Sequence, residues 1–273
     1  MFGKILVDIV ILLAVSFFVL LIMQVRTNQQ VSQLWQMLES APTHQHFHVG
    51  MIAGLPVPVQ RYFLHAIALG TPLSTSIKLK MQGQLRISPE KPWLPMQAQE
   101  ILTSKGFVWK AVIGQGLFQL QGGDYYVNGL GRVQFGLWGL VPFVNAHNLN
   151  ITRSSIGRLG GEFFWLPSAL LLQPNITWKA MDENTIQASF QIDGEPVTLT
   201  LVIDANGKVV QVYLPRWGDS TEDKTWTYIP FGGIFQAERT FEGLTIPSRI
   251  SAGWWFGTER YVESFVSEIE VLS

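Results

Sequence analysis

The sequence predicts a mainly β protein: a curved antiparallel sheet, or half-barrel, wrapped around a short helical plug and preceded by one N-terminal transmembrane helix. Three observations predict this class. A run that is apolar except for Asp8 and Ser16 lies near the N-terminus, at residues 5–23. From residue 76 onward, apolar and polar residues alternate in short runs with turn-forming residues between them. One stretch, 152–172, has helical spacing instead.

The N-terminal run has the length of a membrane span. As a helix, Ile5–Met23 would extend for about 28 Å, close to the thickness of the hydrocarbon core. The run ends without the small residues of a cleavage site, which favours an uncleaved anchor at 1–26 over a cleaved signal peptide. Lys4 before the span and Arg26 after it favour a cytoplasmic N-terminus, with the rest of the chain outside the cytoplasm.

Residues 27–54 are polar and rich in histidine, and we interpret them as a stalk with a short helix near 31–38. A single β-rich domain is then predicted at 55–273. It should begin with a helix over 56–69, because three apolar residues recur there at intervals of four and share one face: Val59, Phe63 and Ile67.

The alternating pattern predicts strands with one buried face. Ile77, Leu79 and Met81 point to one side of the first strand, and Lys78 and Lys80 point to the other. Asp-Gly and Asn-Gly pairs between such runs indicate hairpins, hence an antiparallel meander. Strands are predicted near 76–87, 95–103, 106–114, 116–127, 131–138, 186–192, 197–203, 208–214, 225–229, 234–241, 246–255 and 259–271.

The exception at 152–172 is predicted to be the plug. Ile156, Leu159 and Phe163 recur three and four residues apart, as on one face of a helix. Pro167 cannot donate a hydrogen bond within a first helix but can begin a second, so two short helices are expected.

Composition excludes several classes of function. Of the 273 residues, 47% are apolar and only 14% charged, which excludes a disordered chain. The net charge of −1 gives no general attraction to nucleic acid. The absence of cysteine excludes disulfides and thiol catalysis. Common hydrolase and kinase motifs are missing, and we predict no metal site and no cofactor.

Glu162 stands at the head of an apolar segment and allows two interpretations. It follows Arg158 by four residues, so an ion pair can fix the plug to the sheet. Alternatively, a carboxyl group in apolar surroundings can act as a catalytic acid. The anchor is favoured because no nucleophile or second acid accompanies Glu162 in the sequence.

Asp124, in a glycine-rich segment typical of a hairpin rim, is a candidate for contact with a polar ligand group.

Five segments together resemble a family of bacterial proteins of unknown function. They are LPVPVQRYF (55–63), GFVWKA (106–111), GGDYYVNGLG (122–131), EFFWLPSALL (162–171), followed by Trp178, and GWWFGTERYV (253–262). The resemblance covers about 54–272. It implies one domain, often carried on membrane spans, with no established reaction, so no catalytic residue is carried over. The acidic position that recurs in the family's Trp-Leu-Pro segment is Glu162 here.

The predicted architecture also resembles the lipoprotein-carrier group typified by LolA and LolB. In that group an incomplete antiparallel barrel wraps around helices and holds acyl chains. This chain differs because it has no cysteine to carry a lipid, so its anchor must be the helix.

Together these patterns predict a membrane-tethered binding protein for a lipid or another apolar ligand. The predicted pocket walls are Trp109, Phe118, Phe163, Trp165, Leu166 and Leu170, with Asp124, Glu162 and Arg216 at the mouth or as polar support. Two alternatives stay open. One is an enzyme that acts on a lipid or envelope component through Glu162 or Asp124. The other is a solidly packed scaffold that binds another membrane protein.

Overall fold

The computed structural model describes residues 2–39 and 43–272, and within them the chain forms four α-helices, two short 3₁₀ helices (Val49–Met51 and Phe163–Trp165) and thirteen strands. The α-helices are α1 (Phe2–Leu38), α2 (Val57–Ala66), α3 (Leu149–Gly161) and α4 (Pro167–Leu172). The strands are β1 (Ser76–Leu85), β2 (Leu94–Thr103), β3 (Gly106–Gln115), β4 (Phe118–Val127), β5 (Leu130–Leu137), β6 (Val141–Ala146), β7 (Thr177–Ala180), β8 (Thr185–Ile192), β9 (Glu195–Ile203), β10 (Val209–Gly218), β11 (Thr227–Phe241), β12 (Leu244–Trp254) and β13 (Val262–Val271).

All of these strands belong to one antiparallel sheet, in the order β6-β5-β4-β3-β2-β1-β13-β12-β11-β10-β9-β8-β7. Strands that are consecutive in sequence pair with each other, except β6 and β7, and the β1–β13 pair joins the two halves of the chain. The curled sheet remains open between its edge strands, β6 and β7. Helices α3 and α4 connect these two edges, and α3 packs against β4, β5, β9 and β10. The predicted half-barrel around a helical plug is confirmed.

The strand boundaries differ from the predicted ones mainly at short or proline-containing segments. Strands β6 and β7 were not predicted, because six and four residues are too few to show a clear alternation. Strand β11 runs unbroken through the region predicted as two strands. It tolerates Pro230 because Pro215 lies directly opposite, so two residues without an N–H group share one position of the ladder.

Helix α1 continues without a break from the apolar run into the segment predicted as a stalk. Its last two turns, which include Leu34, Trp35 and Leu38, cover an apolar patch on the outer face of the sheet. The patch consists of Ile101, Val108, Tyr125 and Val127. The helix therefore rests directly on the domain. The short helix predicted near 31–38 is the last part of this longer helix, and it is the part that contacts the sheet.

The remainder of the predicted stalk, from residue 43, also lies against the domain. Phe47 and Ile52 are fully buried in the main core. The backbone N–H of Phe47 donates to Thr71 O at 2.9 Å, and the N–H of Thr43 donates to Leu73 O at 3.0 Å. These apolar side chains and backbone bonds hold the segment in place, although its overall composition is polar.

The two helical predictions inside the domain are close to the observed elements. In α2, the predicted face of Val59, Phe63 and Ile67 is buried, but the helix ends at Ala66 because Ile67 turns extended and bridges to Leu244. The plug begins at Leu149, three residues earlier than predicted, where the Asn148 side chain caps the N–H of Ile151 at 3.0 Å.

The β1–β13 pair has a close approach that only glycine permits. A Cβ atom on Gly83 would overlap the backbone oxygen of Val266 on the neighbouring strand. Glycine in a strand interior marks such close approaches and bends. The pair that joins the two halves of the sheet therefore depends on a missing side chain.

We expect Gly83→Ala to destabilise the protein by about 1–3 kcal/mol, because the added methyl group must displace backbone. Gly54→Ala is the matched control, since a Cβ there has no heavy atom within 4 Å. Chemical unfolding in detergent measures both. Equal stability of the two variants would show that the β1–β13 pair can move apart freely.

Candidate functional site

A cavity of about 410 Å³ lies between the concave face of the sheet and the plug. Helix α3, the turn after it and eight strands contribute walls. Most wall residues are apolar and many are aromatic: Trp109, Ile113, Phe135, Phe164, Trp165, Leu214, Phe231, Ile250, Ala252, Trp254 and Phe265. The cavity is within the roughly 300–1,000 Å³ that small-molecule sites occupy.

One arginine and three carboxyl groups form a polar cluster beside this cavity: Arg158, Asp124 and Glu162 line it, and Glu100 is buried outside its lining. Arg158 donates from Nη1 to Asp124 Oδ2 at 2.8 Å and from Nε to Glu162 Oε1 at 2.8 Å. Its Nη2 lies 3.3 Å from Glu100 Oε1. The guanidinium group also lies over the ring of Phe107, at 4.5 Å. The ion pair predicted between Arg158 and Glu162 is thus part of a larger cluster, which we call the Arg158 cluster.

Burial sets the protonation of this cluster. Glu100 is completely buried. Burial, and then repulsion from Glu162, raise the pKa of Glu100 well above its usual range, which favours its protonated form. Burial also acts against the charge of Arg158, but the carboxylates around it outweigh this and keep its pKa above the usual value. A protonated Glu100 leaves Arg158 facing two negative charges, from Asp124 and Glu162.

Polar atoms in and beside the cluster are buried without a hydrogen-bond partner. They are Asp124 Oδ1 and the indole Nε1 of Trp109; Glu100 Oε2 and Glu162 Oε2 are also buried, but a protonated Glu100 donates a hydrogen bond to Glu162. Buried polar groups are nearly always paired, and each unpaired one costs about 1–3 kcal/mol. Asp124 and Trp109 both line the cavity, which therefore offers one carboxylate acceptor and one N–H donor that a bound molecule can satisfy.

Arg216 provides a second cation on the cavity wall. Within the described residues it has no carboxylate at ion-pair distance, and its Nε donates to the backbone oxygen of Ser154 at 3.1 Å. The guanidinium group lies 4.9 Å from the ring of Phe231 and 5.2 Å from that of Trp254. Burial and the nearby charge of Arg158 lower the pKa of Arg216 to about 10, so it remains charged at neutral pH.

The structure brings together five of the nine predicted site residues. Trp109, Asp124, Glu162, Trp165 and Arg216 line the cavity. The other four do not. Phe163, Leu166 and Leu170 are buried in the core, and Phe118 is exposed at the start of β4.

The prediction missed the partners that surround these residues. Arg158 was noted only as a neighbour of Glu162, and Glu100 was not considered. A signal for Glu100 is present in the sequence. It occupies an inward position of β2, on the same face as Met96, Ala98 and Leu102. A carboxyl group among these apolar side chains needs a partner.

The cavity opens at one end of the half-barrel, which we call the open end. Arg86 and Ile87 follow β1 there, Ser220 follows β10, and Ser264 lies near the start of β13. The hairpin turns β3–β4 and β5–β6 are at the same end, because adjacent strands are antiparallel.

A second hollow, of about 510 Å³, lies on the outer face of the sheet beneath residues 23–32 of α1. Amide side chains make up much of its wall, among them Gln24, Gln97, Gln99, Gln121 and Gln134. It lies on the opposite face from the Arg158 cluster, so we place the candidate site in the inner cavity.

We expect Arg158→Met to lower the free energy of unfolding by about 3–5 kcal/mol, because it leaves buried carboxylates without their cation. Arg153→Met is the control. Arg153 pairs with Glu195 at 3.0 Å in a more exposed place, where a pair is worth about 1 kcal/mol or less. Chemical unfolding compares them. Similar losses in both variants would contradict a structural role for the cluster.

We expect Glu100→Gln to change how stability depends on pH. Since the folded-state pKa of Glu100 is raised, the wild-type protein loses stability as pH rises from the unfolded value of about 4.5 toward the folded one. Glutamine does not titrate, so the variant gains relative stability in this window, by up to about 1.4 kcal/mol per pH unit.

The control for that experiment is Glu268→Gln, whose expected trend has the opposite sign. Its partner Arg249 lowers the pKa of Glu268, so the stabilisation is fully present above the unfolded pKa and is lost as pH falls through the lower folded-state pKa. Unfolding curves at several pH values measure both variants. A pH-independent difference between Glu100→Gln and wild type would show that Glu100 is not held protonated.

Comparisons with known proteins give a family and two distant structural likenesses. A crystal structure of a LolA superfamily protein from Nitrosomonas europaea aligns with a TM-score of 0.38 and 8% identity, over 78% of this chain and 90% of that one. A porin-like protein from Bacteroides uniformis aligns with a TM-score of 0.29 and 6% identity, over 74% and 97%. Both scores are too low to bear on function.

Sequence comparison shows which family the chain belongs to. Among curated proteins, none matches this chain significantly. A family model described as "Family of unknown function (DUF6544)" matches residues 45–264, which include the whole half-barrel up to the start of β13. The chain therefore belongs to the DUF6544 family of unknown function.

Proposed function

We propose that this protein is a membrane-tethered binding protein, with its domain outside the cytoplasm, that holds one amphiphilic molecule in the inner cavity. The observation that supports this most directly is the combination of apolar walls with buried, unpartnered polar atoms in one space. A ligand with an apolar part and a polar end satisfies both.

The apolar part of the ligand would lie against the aromatic walls. Trp165 is held in place by a hydrogen bond from its Nε1 to Pro247 O at 3.1 Å, and Phe164 packs against Phe235 with ring centres 4.6 Å apart. Fixed aromatic rings form a preformed wall rather than one that must collapse on binding. Each buried methylene contributes about 0.8 kcal/mol, so a short acyl segment is enough for stable binding.

The polar end of the ligand would meet the Arg158 cluster and Arg216. The free oxygen of Asp124 accepts hydrogen bonds, such as those that a hydroxyl or amine would donate. Arg216, with no carboxylate partner among the described residues, suits a carboxylate or phosphate oxygen. A lipid whose head carries both kinds of group fits best.

The membrane tether rests on α1. It is the one helix of the described residues that is long and apolar enough to cross a membrane, and its apolar part is exposed rather than packed on the domain. A bilayer would cover this surface.

The enzymatic alternative has less support. Asp124 and Glu162, the carboxylates on which it depends, each direct one oxygen to Arg158 at 2.8 Å. A carboxylate that is fixed by an arginine serves more naturally as a binding group than as an acid that releases a proton. The solidly packed scaffold is also disfavoured, because the interior contains the cavity.

Native mass spectrometry of the full-length protein in mild detergent, followed by lipid extraction, tests the proposal. We expect one bound amphiphile per chain, released on unfolding. The proposal would be refuted if the purified protein had the mass of the unliganded chain and gained no mass when incubated with lipid extracts.

A cavity-filling variant gives the matched comparison. We expect Ala252→Phe to abolish the bound mass, because Ala252 lines the cavity and the added ring occupies ligand space. Ala180→Phe, on the exposed edge strand β7, should retain it. Circular dichroism confirms that both variants fold. Ligand retained at full occupancy in a folded Ala252→Phe variant would place the binding site elsewhere.

A further inference from the structure

Two hairpin turns at the open end carry a continuous group of exposed apolar side chains. The turn β3–β4 contributes Leu117, which is 87% exposed, and Phe118. The turn β5–β6 and the strand after it contribute Trp138, Val141 and Phe143. We call these five residues the apolar rim.

The rim is one surface because its two turns are tied together. The indole Nε1 of Trp138 donates to Gly116 O at 3.5 Å, and the rings of Phe118 and Phe143 meet edge to face, with centres 6.5 Å apart. An exposed apolar patch built from several segments is typical of an interaction site.

Helix α1 places this rim next to the end of the apolar run. Gln24, the first residue after that run, donates from Nε2 to the backbone oxygen of Trp138 at 3.4 Å. The oxygen of Thr27 accepts from the Gln134 side chain at 3.3 Å, further along β5. At its other end the helix reaches Ile101 and Val108, near the turn β2–β3.

These contacts fix the direction of the helix relative to the sheet. Leu38 lies toward the turn β2–β3 and Gln24 lies at the open end, about 21 Å away along the helix axis. Since α1 is unbroken, residues 5–23 project beyond the open end and away from the domain. A bilayer around residues 5–23 is therefore on the same side as the rim.

The mouth of the inner cavity opens at this end as well. Ile87, which is exposed, and Arg86 contribute to it, and Trp93 covers the guanidinium group of Arg86 at 4.9 Å. Tryptophan and other amphipathic or apolar side chains are enriched at the level of the lipid head groups.

We propose that the apolar rim docks on the surface of the same bilayer that holds α1, so that the cavity opens toward the lipid. This proposal rests on the membrane tether of the proposed function. It adds that the half-barrel stands with its mouth toward the membrane, and that its ligand enters from the bilayer.

Depth-dependent fluorescence quenching tests the docking, and the lack of cysteine makes single-site labelling simple. Full-length Leu117→Cys carries an environment-sensitive fluorophore in vesicles of phosphatidylethanolamine and phosphatidylglycerol. We expect blue-shifted emission and quenching by doxyl-labelled lipid. Lys105→Cys, in the exposed turn β2–β3 at the opposite end, is the control and should show neither effect. Flotation of the vesicles verifies that both proteins are inserted.

Emission typical of a water-exposed fluorophore at both positions, in inserted protein, would overturn the docking proposal and leave ligand binding untouched.

Loading kinetics test the entry route separately, with a pyrene-labelled fatty acid as the probe. We expect Phe143→Asp to load several-fold more slowly from vesicles, yet to bind the probe from aqueous solution as tightly as wild type. Equal loading rates from vesicles would contradict entry through the rim, whereas failure to bind the probe from solution would instead contradict the proposed function.

Discussion

The interaction on which the rest of the molecule depends is the one between Arg158 and its three carboxyl groups. Arg158 and Glu162 come from the plug, Glu100 from β2 and Asp124 from β4. A buried charge is costly unless it is paired, so this cluster permits few positions of the plug relative to the sheet. With the plug fixed in this way, the aromatic walls cannot collapse onto it, and a cavity remains.

The sequence was sufficient for the fold because the periodicity of two changes to a helical one at a single place. The alternation of Ile77, Leu79 and Met81 with polar residues indicates a sheet with one buried face. Pro167 indicates a break between two helices. It was insufficient for β6 and β7, which are too short to show a period. It also missed the contact of α1 with the outer face, since a helix amphipathic over two turns resembles a polar linker.

The site was predictable in part, for a related physical reason. A local pattern such as Arg158 and Glu162, four residues apart on a helix, can be read directly. Glu100 and Asp124 join them only through the pairing of β2, β3 and β4, which no local pattern specifies. Apolar residues posed the opposite problem. Phe163 and Leu170 have the same character as Trp165, and only the three-dimensional packing separates core from cavity wall.

The unbroken helix α1 has a further consequence. It has no hinge between residues 2 and 38, and its last turns are bound to the sheet, so the half-barrel stays at a constant height above the residues at 5–23. Once that segment is embedded, the domain can travel only laterally and cannot cross an aqueous compartment with a cargo. Under the proposed function, delivery of the ligand to a distant acceptor would therefore require a soluble shuttle or a bridging protein to come to the tethered domain.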